Sequence, residues 1–150
     1  MAFKLAVEGF SDGANIPRRF TCDGQNVSPA LRWANEPSGA RSFALILEDP
    51  DAPGGTFNHW LLWNVSANVH SLSEGETSVG VPGQNDFGKL GYGGPCPPKG
   101  RGPHRYFFRL FAVDTPELDL KSGANRAVLE QSLRKHGIAE ARYTGRYERR

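Results

Sequence analysis

The sequence predicts a mainly β protein: two packed antiparallel sheets forming a Greek-key-like β-sandwich, with one main C-terminal helix. The first supporting observation is a series of short apolar or alternating runs bounded by turn residues. The second is the presence of 18 glycines and 11 prolines among 150 residues, which is rich in turns but below the level of low-complexity chains. The third is that only one segment carries a good helical pattern.

The first two predicted strands differ in how deeply they are buried. Phe3, Leu5 and Val7 alternate with polar or small residues, which indicates a half-buried strand. Residues 42–48 form a short apolar run that ends before Pro50. Because proline cannot donate to a β-ladder, this pattern predicts a buried core strand that stops there.

Two further runs, 58–65 and 104–113, are rich in aromatic and branched residues and are predicted to be central strands. In the second run, alternate residues share one face of the strand. They are Tyr106, Phe108, Leu110 and Ala112. Trp60 and Trp63 in the first run are predicted core residues, with Trp60 also a candidate for the wall of a pocket.

The stretch 66–102 shows almost no periodicity and carries nine glycines, which predicts a long structured loop. Loops of this length are uncommon in compact domains and are usually functional. The loop is therefore a candidate binding element.

The one good helical pattern covers residues 124–136, with Ser122 or Asn125 as the N-cap and Gly137 closing the end. After it, alternation from Ala139 to Tyr143 predicts a final strand.

Residues 1–150 are predicted to form a single domain, since a chain of this length supports its own core. The longest apolar stretches, 43–47 and 60–63, are far too short to cross a bilayer. Residues 1–8 alternate in polarity, unlike a signal peptide, so we expect a cytoplasmic protein without integral membrane association. In such a reducing compartment Cys22 and Cys96 are expected to be reduced.

The net charge of +2 is unevenly distributed, because seven basic and three acidic residues lie between Arg126 and Arg150. These charges lie along the predicted helix and its tail and are not interleaved with aromatic residues as in a nucleic-acid reader. We therefore expect a solvated face and no nucleic-acid partner.

Three clusters carry residues suited to chemistry, and each lies where a predicted strand meets a loop. The first is 49–55 followed by Asn58-His59-Trp60. The second is 92–100, and the third is 102–106. Their placement predicts that they converge on one pocket.

These clusters resemble motifs of the phosphatidylethanolamine-binding proteins, in particular the bacterial Raf kinase inhibitor-like branch. The similarity covers nearly the whole chain, in the blocks 20–29, 49–60, 92–106 and 139–147. It implies a mainly antiparallel β fold with a small pocket for phosphate-like anions, and a role as a binder and inhibitor of proteins. Four pocket residues are implied by the resemblance: Asp49, His59, His104 and Tyr106.

A physical interpretation of the pocket gives each residue a role. Backbone amides at Gly93 and Gly94 are expected to point at an anion, because glycine permits close backbone approach. The imidazoles and the Tyr106 hydroxyl add side-chain donors. Asp49 is expected to orient a histidine. The predicted ligand-binding set is Asp49, Asp51, Pro53, His59, Tyr92, Gly93, Gly94, His104 and Tyr106.

Three residues around this pocket carry structural expectations. Asp51 is expected to close the turn on its own backbone. Arg105 is expected to pair with a carboxylate as part of the scaffold. The Ala52–Pro53 bond is expected to be cis, on the strength of the resemblance and of a tight Pro-x-x-Pro turn.

The leading functional prediction is a binding protein that takes a phosphate-like anion or a phosphoethanolamine headgroup and regulates or inhibits a protein partner, in the manner of a kinase or protease inhibitor. A homodimer is a further expectation. The leading prediction assigns the protein no catalytic residues, no cofactor and no metal. The alternatives are a metalloenzyme using the Asp and His side chains, or a metal-free hydrolase. The sequence lacks a short metal-ligand spacing, a nucleophile elbow and a phosphate-binding loop, which disfavours both.

Overall fold

The computed structural model covers residues 1–150, and its dominant element is a five-stranded antiparallel sheet. In spatial order its strands are β6 (Val81–Pro82), β4 (Phe57–Ser66), β3 (Ser42–Asp49), β7 (His104–Val113) and β8 (Gly137–Tyr147). The middle strand β3 is buried along its whole length, because both faces of the sheet are covered.

A smaller sheet packs on one face of the large sheet. It contains β1 (Lys4–Val7), β2 (Leu31–Ala34) and β5 (Ser71–Leu72), also antiparallel. A core of 18 buried side chains includes Val7 of β1, Trp33 of β2 and Phe108 of β7, which shows that the two sheets share it. The predicted sandwich of two antiparallel sheets is confirmed.

The opposite face of the large sheet is covered by α1 (Arg126–His136) and the segment before it. Eight buried residues form this second core, among them Trp63, Leu129 and Leu133. Of the two candidate caps, Asn125 is the N-cap, since its side chain accepts a hydrogen bond from the Val128 amide. The helix runs directly into β8 at Gly137. No helix of this protein combines the length and apolar character needed to cross a bilayer.

The outer edge of β8 is covered near its C-terminal end by residues 13–16. The amides of Gly13 and Ile16 donate to carbonyls of Thr144 and Arg146, at 2.7 and 2.8 Å. The Arg146 amide donates in return to a carbonyl in the same N-terminal segment.

The predicted strands and the helix are confirmed, with end points that differ by a few residues. β8 is longer than predicted, because it pairs with β7 along its whole length. The sequence interpretation missed β2, the short strands β5 and β6 inside the long loop, and a 3-10 turn at Arg18–Phe20.

The prediction of reduced cysteines is wrong, because Cys22 and Cys96 form a disulfide with their Cα atoms 5.4 Å apart. The two residues are 74 positions apart in sequence, and only the packing of the 92–98 loop on the segment around Cys22 brings them together. The Cys22 amide donates to the Pro95 carbonyl beside this bridge.

The expected cis bond at Ala52–Pro53 is also wrong, since the chain contains no cis peptide. The turn is closed by other means. The Gly55 amide donates to the Ala52 carbonyl, and Gly55 takes a φ of 108°, a backbone conformation that glycine adopts without strain.

Candidate functional site

The candidate site lies at one end of the large sheet, where β3 ends and its neighbours β4 and β7 begin. Because both neighbours run antiparallel to β3, the last residue of β3 meets the first residues of the other two. This topology brings together Asp49 from β3, His59 from β4, and His104 and Tyr106 from β7. The predicted convergence of the strand-end motifs is confirmed for these four residues.

A β-bulge determines where His59 lies in β4. Leu47 pairs with Trp60 and Glu48 pairs with Asn58, so His59 is the extra residue between two successive pairs. Its backbone carbonyl accepts a hydrogen bond from the Gly93 amide, at 2.8 Å. The bulge thus fixes His59 against the long loop.

Together these residues line a cavity of about 200 Å³. Five of the nine predicted site residues contribute to it: Asp49, Pro53, His59, His104 and Tyr106. The other six lining residues were not predicted as ligand contacts, and they are Ala52, Phe57, Phe87, Cys96, Pro97 and Pro98. We call Cys96–Pro98 the proline wall of the cavity.

Asp49 and His104 form a buried pair at the base of the cavity. His104 Nδ1 donates to Asp49 Oδ2 at 2.6 Å, and the two residues are 6% and 3% exposed. Asp49 Oδ1 accepts from the Asp51 amide at 2.8 Å. The prediction that Asp49 orients a histidine is confirmed, and Asp49, not Asp51, closes the turn.

Asp51 has a different role from the one predicted. Its carboxylate accepts three hydrogen bonds from Arg105, one from the backbone amide and two from the guanidinium, at 2.9–3.0 Å. The Arg105 hydrogen bonds lower the pKa of Asp51 to about 2. Asp51 does not line the cavity, whereas the prediction that Arg105 pairs with a carboxylate is confirmed.

The His59 imidazole is held in one orientation by the loop. Its Nδ1 lies 2.7 Å from the Gly93 carbonyl, so Nδ1 carries the proton and donates it there. Burial lowers the pKa of His59, which favours the neutral form. The Nε2 atoms of His59 and His104 make no hydrogen bond within the protein.

The Tyr106 hydroxyl is buried, lines the cavity and makes no hydrogen bond of standard geometry, although the Asp49 carboxylate lies near it. Burial, and secondarily the negative charge of Asp49, raises the pKa of Tyr106, so the hydroxyl keeps its proton and remains a donor. Buried polar groups are nearly always paired, so a free hydroxyl in a cavity is a strong indication of a ligand or water position.

Three predicted site residues serve the scaffold. The amide of Gly93 donates to the His59 carbonyl and that of Gly94 to the Asn26 side chain, at 2.8 Å each. Neither amide is therefore free for an anion, contrary to the prediction. The Tyr92 hydroxyl donates to the Phe20 carbonyl at 2.6 Å and also lies outside the cavity.

The part of the cavity lining around His59 is aromatic. The Phe57 and Phe87 rings pack around the His59 imidazole with centroid distances of 4.8 and 5.4 Å, and the Tyr106 ring lies 5.4 Å from it. No lysine or arginine is among the lining residues, so the only groups able to bring positive charge are the two imidazoles. No group of three or more His, Cys, Asp or Glu side chains is arranged to hold a metal ion.

Trp60 does not wall this cavity. Together with Tyr92 it lines a second cavity of about 360 Å³, in which Glu76 is the one ionisable side chain besides the Tyr92 hydroxyl. In this cavity Tyr92 donates its hydroxyl to the Phe20 carbonyl and packs on the Trp60 ring.

Comparison with known proteins agrees with the geometry. A relative from Aquifex aeolicus, called UPF0098 protein, is 44% identical over 145 residues, or 93% of this chain and 85% of the relative. A Mycobacterium tuberculosis H37Rv relative with the name "Putative lipoprotein LppC" is 40% identical over 96% of this chain and 71% of its own length.

The fold is shared with a solved structure, that of Escherichia coli YbcL, described as a new member of the mammalian PEBP family. It matches with a TM-score of 0.92 and 34% identity, over 99% of both chains. The sequence profile described as phosphatidylethanolamine-binding protein matches residues 7–148. The chain therefore belongs to the phosphatidylethanolamine-binding protein family.

Proposed function

We propose that the cavity around Tyr106 binds a phosphate-like anion, either free or as a phosphoethanolamine headgroup. The single observation that carries the proposal is the buried Tyr106 hydroxyl, a donor in the cavity lining whose hydrogen-bonding capacity the protein leaves unsatisfied. The unpaired Nε2 atoms of His59 and His104 supply two further positions for donors in the same cavity.

The charge of the site makes this binding dependent on protons. Asp49 is buried in the cavity and repels an anion, while no arginine or lysine lines the cavity to offset it. In its neutral form His59 uses its only N–H on the Gly93 carbonyl, so Nε2 is an acceptor. An anion therefore gains a charged donor only when an imidazole takes up a proton.

The apolar wall strengthens the polar contacts. Phe57, Phe87 and the proline wall restrict water around the imidazoles, and hydrogen bonds to a charged group are stronger in such a low-dielectric setting. Binding without chemistry is consistent with the role of a regulator or inhibitor of other proteins, as in the Raf kinase inhibitor-like branch. That role and the branch assignment stay predictions.

The cellular location also stays a prediction. The disulfide is of the type that persists in oxidising compartments, and one relative is named as a lipoprotein. Both observations weigh against the cytoplasmic location expected from the sequence.

The anion proposal is tested by calorimetric titration of sulfate, which does not titrate in the histidine range. We expect affinity to rise by up to about tenfold per pH unit as pH falls, for each proton taken up on binding. Because the pKa of His59 is lowered in the free protein, this dependence should continue below the usual pKa of 6.5. Phosphoethanolamine, titrated in parallel, distinguishes a headgroup from a free anion.

Substitutions locate the binding energy in that titration. His59→Ala is expected to weaken sulfate binding by about tenfold or more, since a charged hydrogen bond is lost. Tyr106→Phe keeps the ring and removes a neutral donor, so it should weaken sulfate binding by less than His59→Ala does. His70→Ala is the matched control, because that imidazole is exposed and pairs with Glu36 outside the cavity. A flat pH dependence, or unchanged affinity in His59→Ala, would contradict the proposal.

The same protein tests the enzymatic alternative. A histidine hydrogen-bonded to a buried carboxylate is also the arrangement of a general base, so His104 and Asp49 justify the assay. Turnover of a phosphomonoester that is lost in Asp49→Asn would favour a metal-free hydrolase. We expect no turnover above the buffer rate.

A further inference from the structure

The proline wall is held to the rest of the protein by very few polar contacts. The Pro95 carbonyl accepts from Cys22, and the Gly100 amide donates to the Arg149 carbonyl at 2.8 Å. Between these two points residues 96–99 make no backbone hydrogen bond, in part because Pro97 and Pro98 have no N–H. The covalent cross-link between the proline wall and the rest of the protein is the Cys22–Cys96 disulfide.

The other end of the disulfide is anchored in the core. Cys22 follows Phe20 and Thr21, which are fully buried, and the Thr21 hydroxyl donates to the Arg18 carbonyl at 2.8 Å. The bond therefore ties a loosely attached wall to a fixed support. Both cysteines are half-buried, so neither residue is sealed inside one of the two cores.

One charged group also contacts the bond. Arg149 Nη1 lies 3.5 Å from Cys96 Sγ, while its Nε donates to Asp23 at 3.2 Å, which holds the guanidinium in place. A guanidinium next to a sulfur stabilises the thiolate form and makes that sulfur the better leaving group.

We propose that the Cys22–Cys96 disulfide is a thiol-exchange site for dithiols, and that its reduction loosens the proline wall and lowers the anion affinity of the cavity. The second half of this inference rests on the proposed anion binding. The first half rests only on the position of the bond and of Arg149.

The reaction is a two-electron reduction by a dithiol. One thiolate of the dithiol attacks Cys22 Sγ, the Cys22–Cys96 bond breaks, and Cys96 leaves as a thiolate beside Arg149. The second thiol of the dithiol then displaces Cys22 from the mixed disulfide. The dithiol becomes a disulfide, and the two cysteines end with the protons that its thiols have lost.

The exchange step is tested by the rate of reduction with dithiothreitol, followed by thiol titration. Arg149→Gln is expected to slow reduction by about three- to tenfold, because the leaving thiolate loses its positive neighbour. Arg150→Gln is the matched control, since that arginine is 88% exposed and pairs with Glu148 instead. Equal rates in the two variants would overturn the assigned role of Arg149.

The effect on the cavity is tested on the oxidised protein, the reduced protein and Cys22→Ser. Reduction and substitution are both expected to weaken sulfate binding by about three- to tenfold, because the ligand must then order the wall. Hydrogen exchange at the Cys96 and Lys99 amides, measured without ligand, should accelerate. If hydrogen exchange accelerates on reduction but even the oxidised protein does not bind sulfate, the loosening of the proline wall is supported. Only the proposed anion binding is then overturned.

Two results would overturn the inference itself. Unchanged exchange and unchanged affinity would show that the wall does not depend on the bond. Loss of the β-sheet circular dichroism signal on reduction would show that the bond is a staple for the whole fold. We expect that signal to persist, because the two cores contain 18 and 8 buried side chains, and neither includes a cysteine.

Discussion

Gly94→Ala is expected to lower the free energy of unfolding by about 3 kcal/mol or more. A Cβ at this position would lie 2.2 Å from the Phe20 carbonyl oxygen and 2.4 Å from Asn26 Oδ1, far inside van der Waals contact. The first of these atoms belongs to the backbone of a buried residue and cannot move aside cheaply. Relief would also break the hydrogen bond from the Gly94 amide to Asn26.

Gly54→Ala is the control for that substitution. Gly54 has no atom within 4 Å of the added Cβ and does not have a positive φ, so its change should stay within about 0.5 kcal/mol. Urea unfolding of both variants gives the comparison. Similar stabilities would contradict the assignment of Gly94 to close packing and return it to the list of candidate anion contacts.

Glu48→Ala is expected to lower the free energy of unfolding by about 2–4 kcal/mol. The Glu48 carboxylate is buried and accepts from Arg109 at 3.0 Å and Arg126 at 2.8 Å. Its removal takes a shared carboxylate from two guanidinium groups that are 20% and 21% exposed, which is more costly than the loss of an exposed pair. Each arginine keeps one other carboxylate, Glu140 for Arg109 and Glu130 for Arg126. Arg126 lies in α1 and also donates to Asn58. The variant therefore weakens the polar contacts that hold α1 to the ends of β3 and β4, which carry Asp49 and His59.

The matched control is Glu8→Ala, which removes an ion pair of the same length to Arg32 with both side chains more than half exposed. Such pairs contribute about 0–1 kcal/mol. Thermal or urea unfolding should separate the two variants clearly. If Glu48→Ala lowered the free energy of unfolding as little as Glu8→Ala does, the ion pairs of Glu48 would contribute no more than exposed ones. They would then not support the strand ends that carry the site.

The strands and the helix could be predicted because burial leaves a periodic signal. The apolar run 42–48 and the alternation from Tyr106 to Ala112 each record which faces are covered. The strands β5 and β6 span two residues each, which is too short to show a period. In β2 buried Leu31 and Trp33 alternate with exposed neighbours, but the strand is only four residues long and lies between Pro29 and Pro37, which favours a loop.

The candidate site was predictable where its residues lie at the ends of strands. Strand direction predicts that the clusters holding Asp49, His59, His104 and Tyr106 converge, and the family resemblance selects these four residues within the clusters. Phe57 and Phe87 were missed because an aromatic residue in a cavity wall has the same sequence pattern as one in a core. Gly93 and Gly94 were misjudged because close packing and anion binding both require glycine.

The covered edge of β8 limits how copies of this chain can associate. Residues 13–16 already occupy outer hydrogen-bonding groups of Thr144 and Arg146, and the opposite edge of the large sheet is the two-residue strand β6, which contains Pro82. These two regions therefore offer no ladder for strand addition. A homodimer that used either of them would have to join through side chains.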